Sequence, residues 1–368
     1  MRWFRPAALA AVLGLVGIGQ QAVAQQTPSA TAETDARDLR VVAAAVSGYI
    51  RPAYAAFAAR AAALNIATAA YCTGPTALSR TALETAFREA VEAYAGIDFL
   101  RFGPAATDTR IERLFYFLDP RNVMRRQLAQ LLAENADLTP EDLAGQSVAV
   151  QGLPALEALL LSKEGDPAAP GFAARCRLAT VVAANIEAIA SDLNGAWNDP
   201  TAGYSALLTK PGPDNAVYRT PRESATEILK AISTGLELLR DQRLLPAMGK
   251  SAEDAKASRL PFVASGDTGA FVAAEIAGLA ELFTASGLGD GLPADYDWAG
   301  GSLLFELQNA RTILGKLPGP VSEAITTEDG RTALGAVRNA LGAARERLVQ
   351  DVAVGNNLTV GFNSLDGD

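Results

Sequence analysis

The chain has 368 residues, 49% of them apolar, enough to fill one large core or two ordinary ones. Its 41 acidic residues outnumber 32 basic ones, which argues against a nucleic-acid partner, because phosphate contacts need clustered Lys and Arg. It contains no histidine, so His-liganded catalytic zinc and the Ser–His–Asp and Cys–His arrangements are excluded.

The N-terminus places Arg2 and Arg5 ahead of an apolar run from Ala7 to Gly17 and the small-residue triplet AVA at 22–24. This pattern predicts a secretory signal spanning 1–24. The run is too short to span a membrane comfortably, so no transmembrane segment is expected after cleavage, and the location is the periplasm or cell envelope. Without its leader the chain keeps 30 basic against 41 acidic residues, a net charge of −11.

Residues 25–35 are rich in Gln, Ser, Thr and Ala and read as a flexible leader. From 35 to about 70, apolar residues recur at three- and four-residue steps, which predicts a long helix kinked at Pro52. A second amphipathic helix is predicted over 76–100, and one or two shorter ones, divided at Pro120, over 109–134. Another long helix covers about 171–197. The polar segment 199–220, with its Asn, Asp, Gly, Pro and Thr, is the best boundary. Beyond it, helices are predicted near 221–245, 268–286, 296–316 and 330–352. Strand-like alternation is almost absent. The expected fold class is therefore all-α, with an N-terminal helical bundle over 36–198 and a C-terminal bundle with an ordered tail over 221–368.

Cys72 and Cys176 are the two cysteines. Export to an oxidising compartment favours their pairing as one disulfide, with free buried thiols or a soft-metal pair as the rival readings.

The stretch SVAVQGLPALEALL, 147–160, sets Gly152 and Pro154 in an otherwise strong helix-forming run and places one acid, Glu157, among leucines. Proline is tolerated in a first helical turn, where its missing N–H is not needed. Glycine before it gives the backbone freedom to bend. GLP therefore reads as a helix restart, with Glu157 in the early part of that helix, partly buried and in need of a partner.

Five landmarks now occur in order: LRFGP at 100–104, DPR at 119–121, SVAVQGLPALEALL, RCRLA at 175–179 and VGFNSLDGD at 360–368. In these the chain resembles the imelysin-like family of bacterial envelope proteins, over nearly its whole mature length. The resemblance implies two helical bundles related by a rough internal twofold, with a candidate site between them. It also implies a Gly-x-His-x-x-Glu signature, read in family members as a metallopeptidase motif. Here that signature is Gly152-Leu153-Pro154-Ala155-Leu156-Glu157, and the histidine position holds Pro154.

The remaining chemistry is that of carboxylates. Glu157, Asp98, Glu306, Asp366 and Asp368 are candidate oxygen ligands for a divalent or ferric cation, with Glu157 the metal candidate within the motif. Arg101 and Arg311 are the expected partners of Glu157, and Glu306 and Arg311 are expected at the bundle interface; a structural ion-pair network is the competing reading. Three functions follow. The favoured one is a non-enzymatic envelope protein linked to iron or another metal. The others are a peptidase of the imelysin type, disfavoured by Pro154, and a scaffold that holds a peptide or an envelope-protein partner.

Overall fold

The computed structural model describes residues 30–134, 137–199 and 203–361 besides Met1. The predicted signal apart from Met1, residues 25–29 of the predicted leader, and Asp366 and Asp368 lie outside the described residues. Among the described residues there is no strand, and the chain is all-α as its periodicity predicts.

Helix α1 runs from Ala30–Ala45 through a π-helical turn at Val46–Ile50 into Arg51–Thr73. Its start corrects the predicted leader, since residues 30–35 are already helical. Pro52 sits in the first turn after the π-turn. Proline removes one backbone N–H and crowds the carbonyl four residues earlier, and the widened turn absorbs both effects without breaking the helix. Helix α2, Ala77–Ala95, starts at a reciprocal cap between Thr76 and Ser79. The motif forms α3, Leu153–Leu156, continuing into a π-turn at Glu157–Leu161. Helix α4 is Phe172–Asn198.

In the second half, α5 begins at Pro221–Glu237 behind a Thr220 cap, widens into a π-turn at Leu238–Leu244 and ends at Leu245–Met248. Helix α6 is Thr268–Ser286 and α7 is Ala299–Leu314. Helix α8 comprises Glu328–Glu346, a π-turn at Arg347–Val352 and Ala353–Gly355.

The Arg51–Thr73 part of α1 packs on α2 and α4, forming the first group. Helices α5 to α8 form the second. The Ala30–Ala45 part of α1 belongs with that second group, against α5 and α6. The predicted assignment of residues 36–45 to the N-terminal bundle is corrected accordingly: the apolar stripe of the first four turns faces α5 and α6. The two groups meet where α6 lies against α2 and the α1 π-turn. Gly278 permits that approach, because a Cβ there would press on the Tyr49 hydroxyl, Gly96 and Phe99.

Cys72 at the end of α1 and Cys176 on α4 are joined as a disulfide, with Cα atoms 5.3 Å apart. The bond ties two helices that already pack along their lengths. The segment after α4 is not wholly extended as a connection: it contains the short helix Tyr204–Thr209, whose Tyr204 hydroxyl meets that of Tyr218 at 2.9 Å.

Candidate functional site

Gly152 is the cap of α3, and its backbone is extended, with φ at −117°. What requires glycine is space, not an unusual dihedral: a Cβ would collide with the carbonyls of Arg113 and Leu114. Arg113 itself is held by the motif's flank. Its Nε donates to Gln151 Oε1 at 2.7 Å and its Nη2 to Asn185 Oδ1 at 3.1 Å, while Asn185 Nδ2 donates to the Gln151 carbonyl at 3.0 Å. Pro154 occupies the first turn of α3, as its missing N–H allows.

Glu157 then projects across the seam. The backbone N–H of Ser265 (2.8 Å) and its hydroxyl (2.9 Å) both donate to Glu157 Oε1. Ser265 lies in the loop leading into α6, so the motif of the first group is latched to the second. Burial pushes the Glu157 carboxyl upward, and the Ser265 donors oppose that push. Two residues further on, buried Asp267 accepts from Arg88 Nε of α2 at 2.6 Å, a second bridge over the same seam.

A deeper polar cluster lies where α2 ends. Tyr94 Oη (2.9 Å) and Arg101 Nη2 (3.0 Å) donate to Asp98 Oδ1. Asp98 Oδ2 accepts from Arg243 Nη2, which comes from the π-turn of α5. Both side chains of that pair are essentially sealed from solvent, at 0% and 1% exposure. The Arg243 guanidinium is boxed by aromatic rings, with centroids of Phe115, Phe117 and Phe271 at 4.9, 5.1 and 5.7 Å. Burial works against ionisation of Asp98, but Arg243 and Arg101 overcome it and hold its carboxyl below the ordinary range.

Beside this pair, Glu275 on α6 is wholly buried, and neither of its carboxylate oxygens has a hydrogen-bond partner. Arg243 Nε is likewise unpartnered. Burial pushes the Glu275 carboxyl up to about 8; Arg243 and Arg101 pull it down, and Asp98 adds to the rise.

The structure separates the residues that the sequence suggested as a group. Glu157 binds Ser265, not Arg101 or Arg311 as expected, because Arg101 is three residues from Asp98 and closes onto it. Arg311 is exposed on α7, along a groove of about 520 Å³ that also takes in Gln308 and Thr312. Glu306, on the same helix, is half-buried, and neither it nor Arg311 forms an ion pair among the described residues. Ser265, Arg243 and Glu275 were not singled out. The signal was present: Glu275 stands in the apolar run FVAAEIAGL and Arg243 in LLRDQRLLP, where a buried charge must find a counter-charge.

These residues do not fit the metal that the family motif implies. Pro154 has no donor atom, and Glu157 Oε1 already accepts two hydrogen bonds from Ser265. Both oxygens of Asp98 serve arginines. No group of three or more Cys, Asp or Glu side chains among the described residues is arranged to hold a cation.

The sequence model of the family described as Imelysin matches residues 50–348. No curated protein matches the chain. Among solved structures, an imelysin-like protein from Psychrobacter arcticum 273-4 superposes with a TM-score of 0.73 at 18% identity, covering 89% of this chain and 98% of that one. A protein described as an iron-regulated protein A precursor from Parabacteroides distasonis ATCC 8503 superposes with a TM-score of 0.65 at 14% identity, covering 88% and 97%. At such identities the likeness shows a shared fold, and with a family match spanning most of the sequence, the chain belongs to the imelysin family.

Proposed function

We propose that this chain is an exported, non-peptidase imelysin protein that serves iron acquisition at the cell envelope. The observation that carries the non-peptidase reading is the state of the motif. Pro154 replaces its one acid–base and metal-binding imidazole, and Glu157 is spent on Ser265 across the seam. A peptidase needs a positioned base and an activated water or nucleophile, and this motif offers neither. Support for the iron role comes from the structural likeness to the iron-regulated protein A precursor. Support for export comes from the basic and apolar N-terminus with its AVA triplet.

Because the motif does not suit a bare cation, the protein acts on iron through a partner or an iron complex held at its surface. A groove of about 590 Å³ beside the disulfide, lined by Tyr71, Arg80, Ser162, Lys163 and Ala264, favours this holding role. It borders the Glu157–Ser265 latch and mixes cationic groups, one carboxylate (Asp166), hydroxyls and apolar groups.

The test pairs two measurements. Deleting the gene in its host should slow growth in iron-depleted medium and leave growth in iron-replete medium unchanged. The purified mature protein should not hydrolyse unfolded protein substrates, with or without a chelator. Chelator-sensitive hydrolysis that disappears in Glu157→Gln would overturn the non-peptidase reading, and growth indifferent to iron would overturn the acquisition role.

A further inference from the structure

We propose that Glu275 is a proton-binding group that couples the fit between the two helical groups to the pH of the compartment outside the cytoplasm. The geometry leads to it. A carboxylate held at zero exposure with no hydrogen-bond donor on either oxygen is the costliest form in which to bury a glutamate. Its surroundings do not compensate. Arg243 already spends Nη2 on Asp98, and Arg101 does the same from the other side. The cluster thus contains two cations and one committed anion, with a second carboxyl that is neutral when protonated and completes the charge balance when ionised.

The charges that act on Glu275 come from every element around it. They are Arg243 from the α5 π-turn, and Asp98 and Arg101 from the segment after α2. On the α1 side stands the phenol of Tyr49, which also feels Glu281 of α6. Tyr49 donates to the Gly96 carbonyl at 2.7 Å, so the α1 π-turn is fastened to the end of α2 beside this cluster. On ionisation Glu275 attracts the Arg243 guanidinium, whose Nε is buried without a hydrogen-bond partner. Arg243 is then shared between two carboxylates, on α6 and at the α2 end, where before Asp98 was its one ion-pair partner among the described residues. Proton release therefore re-weights the contact between the two π-turns and α6, the place where the groups meet.

The sign follows from linkage. The folded state keeps the Glu275 proton at pH values where the unfolded chain has released it. Stability from this group is complete below the ordinary carboxylate range and is lost as pH rises toward about 8. Over that window one retained proton changes the folding equilibrium by roughly tenfold per pH unit.

The experiment is thermal unfolding of the full mature protein from pH 5 to pH 9, for the wild type and Glu275→Gln. The wild-type melting temperature should fall toward pH 8 and then level off. The variant, with a permanently neutral side chain of the same shape, should show a flatter profile and melt above the wild type at the alkaline end. Parallel profiles for the two proteins would overturn the proposal. If Glu275→Gln does not fold, infrared titration of the wild type decides. A protonated-carboxyl band surviving at neutral pH and lost around pH 8 supports it, and its absence at neutral pH refutes it.

Discussion

Asp98 shows how one residue gathers a site. Its two oxygens receive Tyr94 and Arg101 from its own stretch of chain and Arg243 from the α5 π-turn, and the pair it forms with Arg243 is sealed from bulk solvent. A buried ion pair adds little over a well-packed apolar pair, but breaking one leaves a stranded charge. Asp98→Ala should therefore destabilise the protein by about 3–5 kcal/mol, read as a shift in the urea midpoint with an unchanged slope. Because its carboxyl is held below the ordinary range, the stability it contributes is full above that range and declines as pH falls through its lowered value. The sequence made part of this legible. Asp98 reads there as a candidate oxygen ligand, Arg101 as a partner for Glu157, and Glu157 as an acid among leucines. The distant partners are not legible, since Arg243 lies 145 positions from Asp98 and Ser265 lies 108 from Glu157. Periodicity reports which face of a helix is buried, not which distant segment covers it.

At the level of elements, the π-turns carry the information that a helical pattern hides. The sequence predicted unbroken helices through 46–50 and 238–244, with a kink at Pro52. In the structure both places widen, and each is followed two residues later by a proline, Pro52 and Pro246. The extra residue per turn shifts the helical face, which is how α1 presents one stripe to α5 and α6 and another to α2 and α4. The motif helix obeys a different constraint. Gly152 was legible as a place where the chain bends, yet its real role is to let the backbone pass the carbonyls of Arg113 and Leu114. Gly152→Ala should cost about 1–3 kcal/mol or more, because the colliding atoms are backbone and not a flexible side-chain tip. The check is a lowered melting temperature, together with faster hydrogen exchange at the amides of α3. Gly171→Ala would be a poor control, as φ there is +79°; Gly335→Ala on α8, with open space around it, is the appropriate one.

For the whole molecule, the pairing of Cys72 with Cys176 closes a loop of 104 residues that contains the motif and the end of α2. In the chain-entropy account such a loop is worth about 4–5 kcal/mol, so adding a reductant should lower the unfolding free energy, taken from the urea midpoint and slope together, by that amount. A negligible change would mean that the reduced, unfolded chain keeps the α1 and α4 segments together without the bond. The long first helix has a further consequence, for synthesis. Its opening turns find their main partners in α5 and α6, which begin at Pro221 and Thr268. Until those helices emerge, an apolar stripe at the head of the growing chain has nothing to cover it. Contacts so far apart in sequence form late and slowly, and a segment left waiting is exposed to aggregation in the meantime. That delay sets the order of assembly: the head of the chain cannot be closed over until α5 and α6 have been made.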